Sequence, residues 1–177
     1  MKKVWFSYFL EKIMAYISMS FQFTQDPTRV LGVAQNNTNG NVIGPNAPVQ
    51  LRYFTDPNVQ TLWDYDPTHG CIILDFSDSN GGGKLAVDFA DGKVAPETPL
   101  VLRPFTGAPS QRWSISIRPG YITSLANTGL VIDDHYDSLQ ANNLVWAFPY
   151  NGTHAQQWTP VHAFQAVAER APQSLRA

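Results

Sequence analysis

The chain is poor in cysteine, in charge and in long apolar runs, and each shortage removes a class of protein. Cys71 is the one cysteine in 177 residues, so no intramolecular disulfide can form, and a lone cysteine is expected to pack as a small apolar residue. Charged residues make up 15%, with a formal net charge of −2 and no cluster of Lys and Arg, so no nucleic-acid partner is expected. The apolar run from Val4 to Leu10 is interrupted by Glu11 and Lys12 and falls well short of the roughly 20 residues a membrane span needs. Lys2 and Lys3 ahead of it outline a signal peptide, but no small-residue cleavage site follows. The expected location is the cytoplasm, or release without a clear signal peptide. Four histidines, His69, His135, His154 and His162, form no spaced metal pair. There is no Gly-x-Ser-x-Gly elbow, and Gly81-Gly82-Gly83-Lys84 lacks phosphate-loop spacing. Asp64 and Asp66 are too close in sequence for the usual glycosidase pair, which faces a bond from distant chain positions. No enzyme, metal or cofactor is therefore expected.

What the sequence does have is aromatics, at 12% with five Trp, and repetition. From about Phe21, Gly, Pro, Asn, Asp, Ser and Thr punctuate short apolar stretches, and no segment of this body keeps a helical period, which points to an all-β fold. Three segments open alike: Val30-Leu31-Gly32-Val33, Lys84-Leu85-Ala86-Val87 and Gly129-Leu130-Val131-Ile132. Each is followed by an apolar strand, around Leu51, Leu102 and Trp146, and each ends in a tryptophan, Trp63, Trp113 or Trp158. A pre-strand is expected at Phe23, Ile73 and Ile122, with an insertion at Ser77 to Gly83 in the middle unit. Each unit reads as about four short strands that cannot bury an apolar face alone, so three would close around a pseudo-threefold axis as a β-trefoil. A three-bladed propeller has the same strand count, but propellers usually need more blades to close.

The trefoil is expected over 19–162, with repeats at about 20–67, 68–117 and 118–162, a tail at 163–177 and a dispensable N-terminal extension at 1–18. That extension carries Trp5, Phe6, Tyr8 and Phe9 close together, and as a segment that pairs with another chain it leaves a homodimer open.

The repeat endings are Gln111-Arg112-Trp113 and Gln156-Gln157-Trp158, both Gln-x-Trp, with Thr61-Leu62-Trp63 as the near miss. Repeated Gln-x-Trp at this period resembles the ricin-B-like lectins over roughly residues 20 to 162. The resemblance implies carbohydrate binding, most often to galactose or N-acetylgalactosamine on glycoproteins or glycolipids, and thus red-cell agglutination. It also implies that the tryptophans are core residues. In that family a carboxylate after the first shared strand takes sugar hydroxyls, an aromatic on the third strand covers the apolar sugar face, and an amide before the Trp completes the contact. The carboxylate position is expected to hold Ala34, Asp88 and Asp133 in the three repeats, and the aromatic position Arg52, Arg103 and Phe148. The third repeat is the expected main site, with Asp133, Phe148 and Gln156, and with Asn151 or His154 as substitute donors. The second is a weaker candidate, with Asp88, Arg103 and Gln111, and the first is expected to be inactive. Because β-trefoils also serve as protease inhibitors and protein-binding modules, those remain the alternative function.

Overall fold

The computed structural model describes residues 16–34, 43–75 and 83–163. The apolar N-terminal run, nearly all of the glycine-rich insertion and all but the first residue of the C-terminal tail lie outside them. The fold is an all-β trefoil. The first repeat holds β1 (Ile17–Phe23), β2 (Asp26–Ala34), β3 (Gln50–Tyr53), the two-residue β4 (Val59–Gln60) and β5 (Trp63–Asp66). The second holds β6 (Cys71–Asp75), β7 (Lys84–Phe89), β8 (Thr98–Pro104) and β9 (Trp113–Ser114). The third holds β10 (Thr123–Ser124), β11 (Leu130–Asp134), β12 (Asn143–Pro149) and β13 (Trp158–His162).

The first and last strands of each repeat build a barrel. β1 pairs with β5 and with β13, β5 with β6, and β9 with β10, all antiparallel. The Cys71–Arg112 bridge links β6 to the start of β9, and the Trp158 N–H donates to the Gly120 carbonyl to close the ring. Closure removes the exposed edges that would otherwise template aggregation. The middle strands form three hairpins, β2–β3, β7–β8 and β11–β12, which interlock by β3–β12 and β8–β12 pairing and by the Pro48–Val101 bridge.

The three repeat tryptophans start β5, β9 and β13 and are essentially fully buried. Each indole N–H donates to a main-chain carbonyl of its own repeat at 3.0 Å: Trp63 to Leu31, Trp113 to Val87 and Trp158 to Ile132. An aromatic ring with a polar handle suits this place, because burial of the ring contributes apolar stabilisation while the N–H stays satisfied. Around them pack Phe21, Phe23, Leu31, Leu51, Ile72, Val87, Phe89, Leu102, Ile122 and Ile132. Phe89 stacks on Trp113 and Phe23 meets Trp158 edge to face.

These bonds also fix the true register of the repeats. Leu31, Val87 and Ile132 are equivalent, not Leu31, Leu85 and Leu130. Their cross-strand partners are Leu51, Leu102 and Ala147. The carboxylate position of the first repeat is therefore Gly32 rather than Ala34, since Gly32, Asp88 and Asp133 face Gln50, Val101 and Trp146 in turn. The pre-strand shifts as well: Gln22, Ile73 and Thr123 pair with Val30, Ala86 and Val131, so Phe21, Ile72 and Ile122 are the matching core residues. Counted this way, the step from Phe21 to Leu31 equals that from Ile122 to Ile132, and the register irregularity in the first repeat falls just after Phe21, between Gln22 and Phe23.

Candidate functional site

Strand alternation sends side chains of one strand to opposite faces, so residues two apart share a face. On β12, Val145 and Ala147 point into the core while Trp146 and Phe148 point outward and are only partly buried. Their rings stack, with centroids 5.0 Å apart. Asp133 lies opposite Trp146 in the hairpin and accepts its indole N–H at 2.6 Å. Asp133 is only 4% exposed. Burial pushes its carboxyl above the usual range, while bonds from Trp146 and Gln156 pull it back.

Beyond Asp133 the chain turns through a 3-10 segment, His135–Asp137, in which Tyr136 and Asp137 both have positive φ. This turn lifts Tyr136, 83% exposed, above the surface. Its ring lies 6.2 Å from that of Trp146, and the His135 ring sits against both. Together they frame an open cleft of about 420 Å³, lined by Asp133, Tyr136, Asp137, Trp146, Phe148, Asn151, Thr153, Ala155 and Glu97. Glu97 comes from the second repeat, whose chain crosses here as its N–H donates to the Ala147 carbonyl.

The structure thus brings Asp133, Phe148 and Asn151 into one cleft. His154 is exposed in the next 3-10 turn, His154–Gln156, and does not line it. Gln156 is fully buried beneath: its Oε1 accepts the Asn151 and Gly152 N–H groups and its amide donates to the Pro149 carbonyl. Gln111 repeats this in the second unit, accepting from Thr106 and Gly107 and donating to Pro104. Both glutamines therefore anchor the loop that follows the third strand of their repeat, and Gln156 also steadies Asp133.

In the second repeat, Asp88 is 3% exposed and Arg103 lies against it, Nε to Oδ2 3.7 Å. Val101 takes the place of Trp146, so this position lacks the stacked rings. In the first repeat the place is filled. A Cβ on Gly32 would come within 2.9 Å of the Gln60 carbonyl and 3.1 Å of Arg52 Cγ. Arg52 reaches across to Gln50, Asp56 and Asn142.

Sequence reasoning missed Trp146, Tyr136, Asp137, Thr153 and Glu97. Trp146 was legible in principle, because a residue two before Phe148 shares its face. Glu97 carried no such signal, since it reaches the cleft from another repeat.

No protein-family model and no curated protein matches the chain. Solved structures do. The C-half of the earthworm R-type lectin, solved in complex with GalNAc, superposes with a TM-score of 0.61 at 18% identity, covering 82% of this chain and 98% of that one. The designed threefold-symmetric protein ThreeFoil gives 0.62 at 19%, covering 81% and 97%. The Rhizoctonia solani agglutinin gives 0.58 at 13%, covering 83% and 95%. At these identities the likeness shows the fold alone, and that fold is a β-trefoil.

Proposed function

We propose that the protein is a lectin that binds galactose- or N-acetylgalactosamine-type glycans, without turning them over, chiefly through the cleft of the third repeat. The observation that carries this reading is one open cleft that joins a buried carboxylate to two stacked rings. A pyranose offers adjacent hydroxyls beside an apolar C–H face. In this reading Asp133 accepts from hydroxyls, Trp146 and Phe148 cover the apolar face, and Asn151 and Thr153 complete the polar contacts, all five lining the one cleft. A relative of the same fold, the earthworm lectin C-half, is described as holding GalNAc. The second repeat is a weaker site, in which a sugar must share Asp88 with Arg103. Two sites on one chain would let it cross-link glycans on cells.

The test is a glycan array together with red-cell agglutination competed by galactose and N-acetylgalactosamine. Binding of terminal galactosides, lost at the third repeat and so strongly weakened overall in folded Asp133→Ala, is the expected result. Absence of binding to every glycan by the folded protein would end the lectin reading.

A further inference from the structure

We propose that the third-repeat cleft selects for a cationic sugar, a hexosamine whose amine is free and protonated, with Glu97 as the residue that sets this preference. The inference rests on the lectin reading above and concerns the ligand class of that same cleft.

The cleft's chemistry is one-sided. Its charged lining residues are Asp133, Asp137 and Glu97, all acidic, and no Lys or Arg is among the lining residues. Beside them stand three aromatic rings, Tyr136, Trp146 and Phe148, and the uncharged Asn151, Thr153 and Ala155. Carboxylates and aromatic rings lining one cleft both attract an ammonium, the first by direct ion pairing and the second by the ring quadrupole. An N-acetylated sugar offers no charge to either, and an acidic sugar is repelled.

Glu97 is placed there against local preference. The pseudo-threefold axis relates Asn46, Glu97 and Asn142, each with positive φ (68°, 59° and 68°), and each donates its N–H to the middle hairpin of the next repeat, at Leu102, Ala147 and Leu51. In the third repeat this position brings Glu97 into the same cleft as Asp133. Asn tolerates that backbone conformation and Glu does not favour it. Among the described residues, Glu97 and Tyr136 are the positive-φ positions that are neither Gly, Asn nor Asp, and both line this cleft.

Titration by NMR of the full chain at pH 6 and low salt tests the proposal, following the Trp146 indole N–H, assigned by its loss in Trp146→Phe. The ligands are galactosamine, galactose and N-acetylgalactosamine. Galactosamine is expected to bind about fivefold more tightly than galactose, as one or two partly exposed ion pairs would give. The ratio should shrink in 0.5 M salt, where such attraction is screened, and fall toward one in Glu97→Gln. A galactosamine-to-galactose ratio near one in the unaltered protein, or a raised ratio that Glu97→Gln leaves in place, overturns the proposal while leaving the lectin standing. No shift of the Trp146 signal with any of the three sugars overturns both.

Discussion

Asp133 and the two glutamines divide the work of the site between reaching the ligand and holding the surface still. A carboxylate this buried is costly unless hydrogen-bonded, and Asp133 meets that condition through Trp146 and Gln156. It therefore holds the Trp146 ring in place as well as facing the cleft. Asp133→Ala is expected to weaken glycan binding at least tenfold, because each lost charge-assisted bond is worth about 1.5–3 kcal/mol. The Trp146 indole signal should also shift in the unliganded variant. An unchanged affinity in calorimetry would remove Asp133 from the site. Gln111 predicts the opposite kind of effect. Its side chain bonds three main-chain groups, so Gln111→Ala should cost about 2–3 kcal/mol in denaturant unfolding. It should leave binding at the third repeat intact. From sequence, these glutamines look equally fit to touch sugar or lock the repeat, because an amide can do either. Burial of 2% and 0% exposure puts both beneath the surface.

At the scale of strands and turns, the sequence shows the units clearly and their register less well. Three tryptophans at near-equal spacing are visible because a core position repeated by symmetry keeps its residue. The opening strands mislead, since Leu85 and Leu130 imitate Leu31 two residues early, and only the cross-strand partners settle which residues match. The barrel also begins earlier than the repeat spacing suggests. β1 starts at Ile17, which faces Tyr65, and Ser18 faces Asp64. A chain starting at Tyr16 should match the full chain's thermal midpoint, whereas one starting at Met19 loses this pairing and should melt several degrees lower. Equal midpoints for the two would show that the pairing of Ile17 and Ser18 with β5 contributes nothing. The turns give a second prediction. Tyr136 takes the place that Asp91 holds in the second repeat, where φ is 56°, and Glu97 the place of Asn46 and Asn142. Strain of this kind costs on the order of 1 kcal/mol and gathers at functional sites. Tyr136→Asn should therefore raise the thermal midpoint and weaken glycan binding together. A variant that binds as before would make Tyr136 a bystander.

Taken as a whole, the molecule uses three similar units for unlike ends: one packed shut by Arg52, one with Arg103 across its carboxylate, and one open. The open repeat also carries a buried acid that ties the stability of the whole to pH. Asp134, beside Asp133 at the end of β11, has no exposure. One oxygen accepts the Asn143 amide at 2.7 Å and the other has no partner among the described residues. Burial is the main cause that pushes its carboxyl up to about 7; Asp137 and Asp133 add to the shift, while Asn143 and Arg29 oppose it. An acid whose folded pKa lies above its unfolded value binds more protons folded than unfolded between the two. Stability must then fall as pH climbs from about 4 to about 7, by up to on the order of 4 kcal/mol for a shift of this size. Asp26 and Asp66 act in the other direction. The Thr28 bonds hold the first below its usual range; for the second, burial is outweighed by bonds from His69 and Thr68. Their stabilisation is present at neutral pH and is lost as pH falls below about 4. The two trends together place maximum stability in mildly acidic solution. Asp134→Asn keeps the oxygen that Asn143 needs and cannot ionise, so it isolates the contribution of this one group. Unfolding in urea at pH 5 and pH 8 should show the unaltered protein losing stability between the two, and the variant losing much less. The difference between variant and parent should be larger at pH 8 than at pH 5. A difference that does not change with pH would mean that Asp134 is ionised throughout, and that the buried end of β11 tolerates a charge this geometry says it should not.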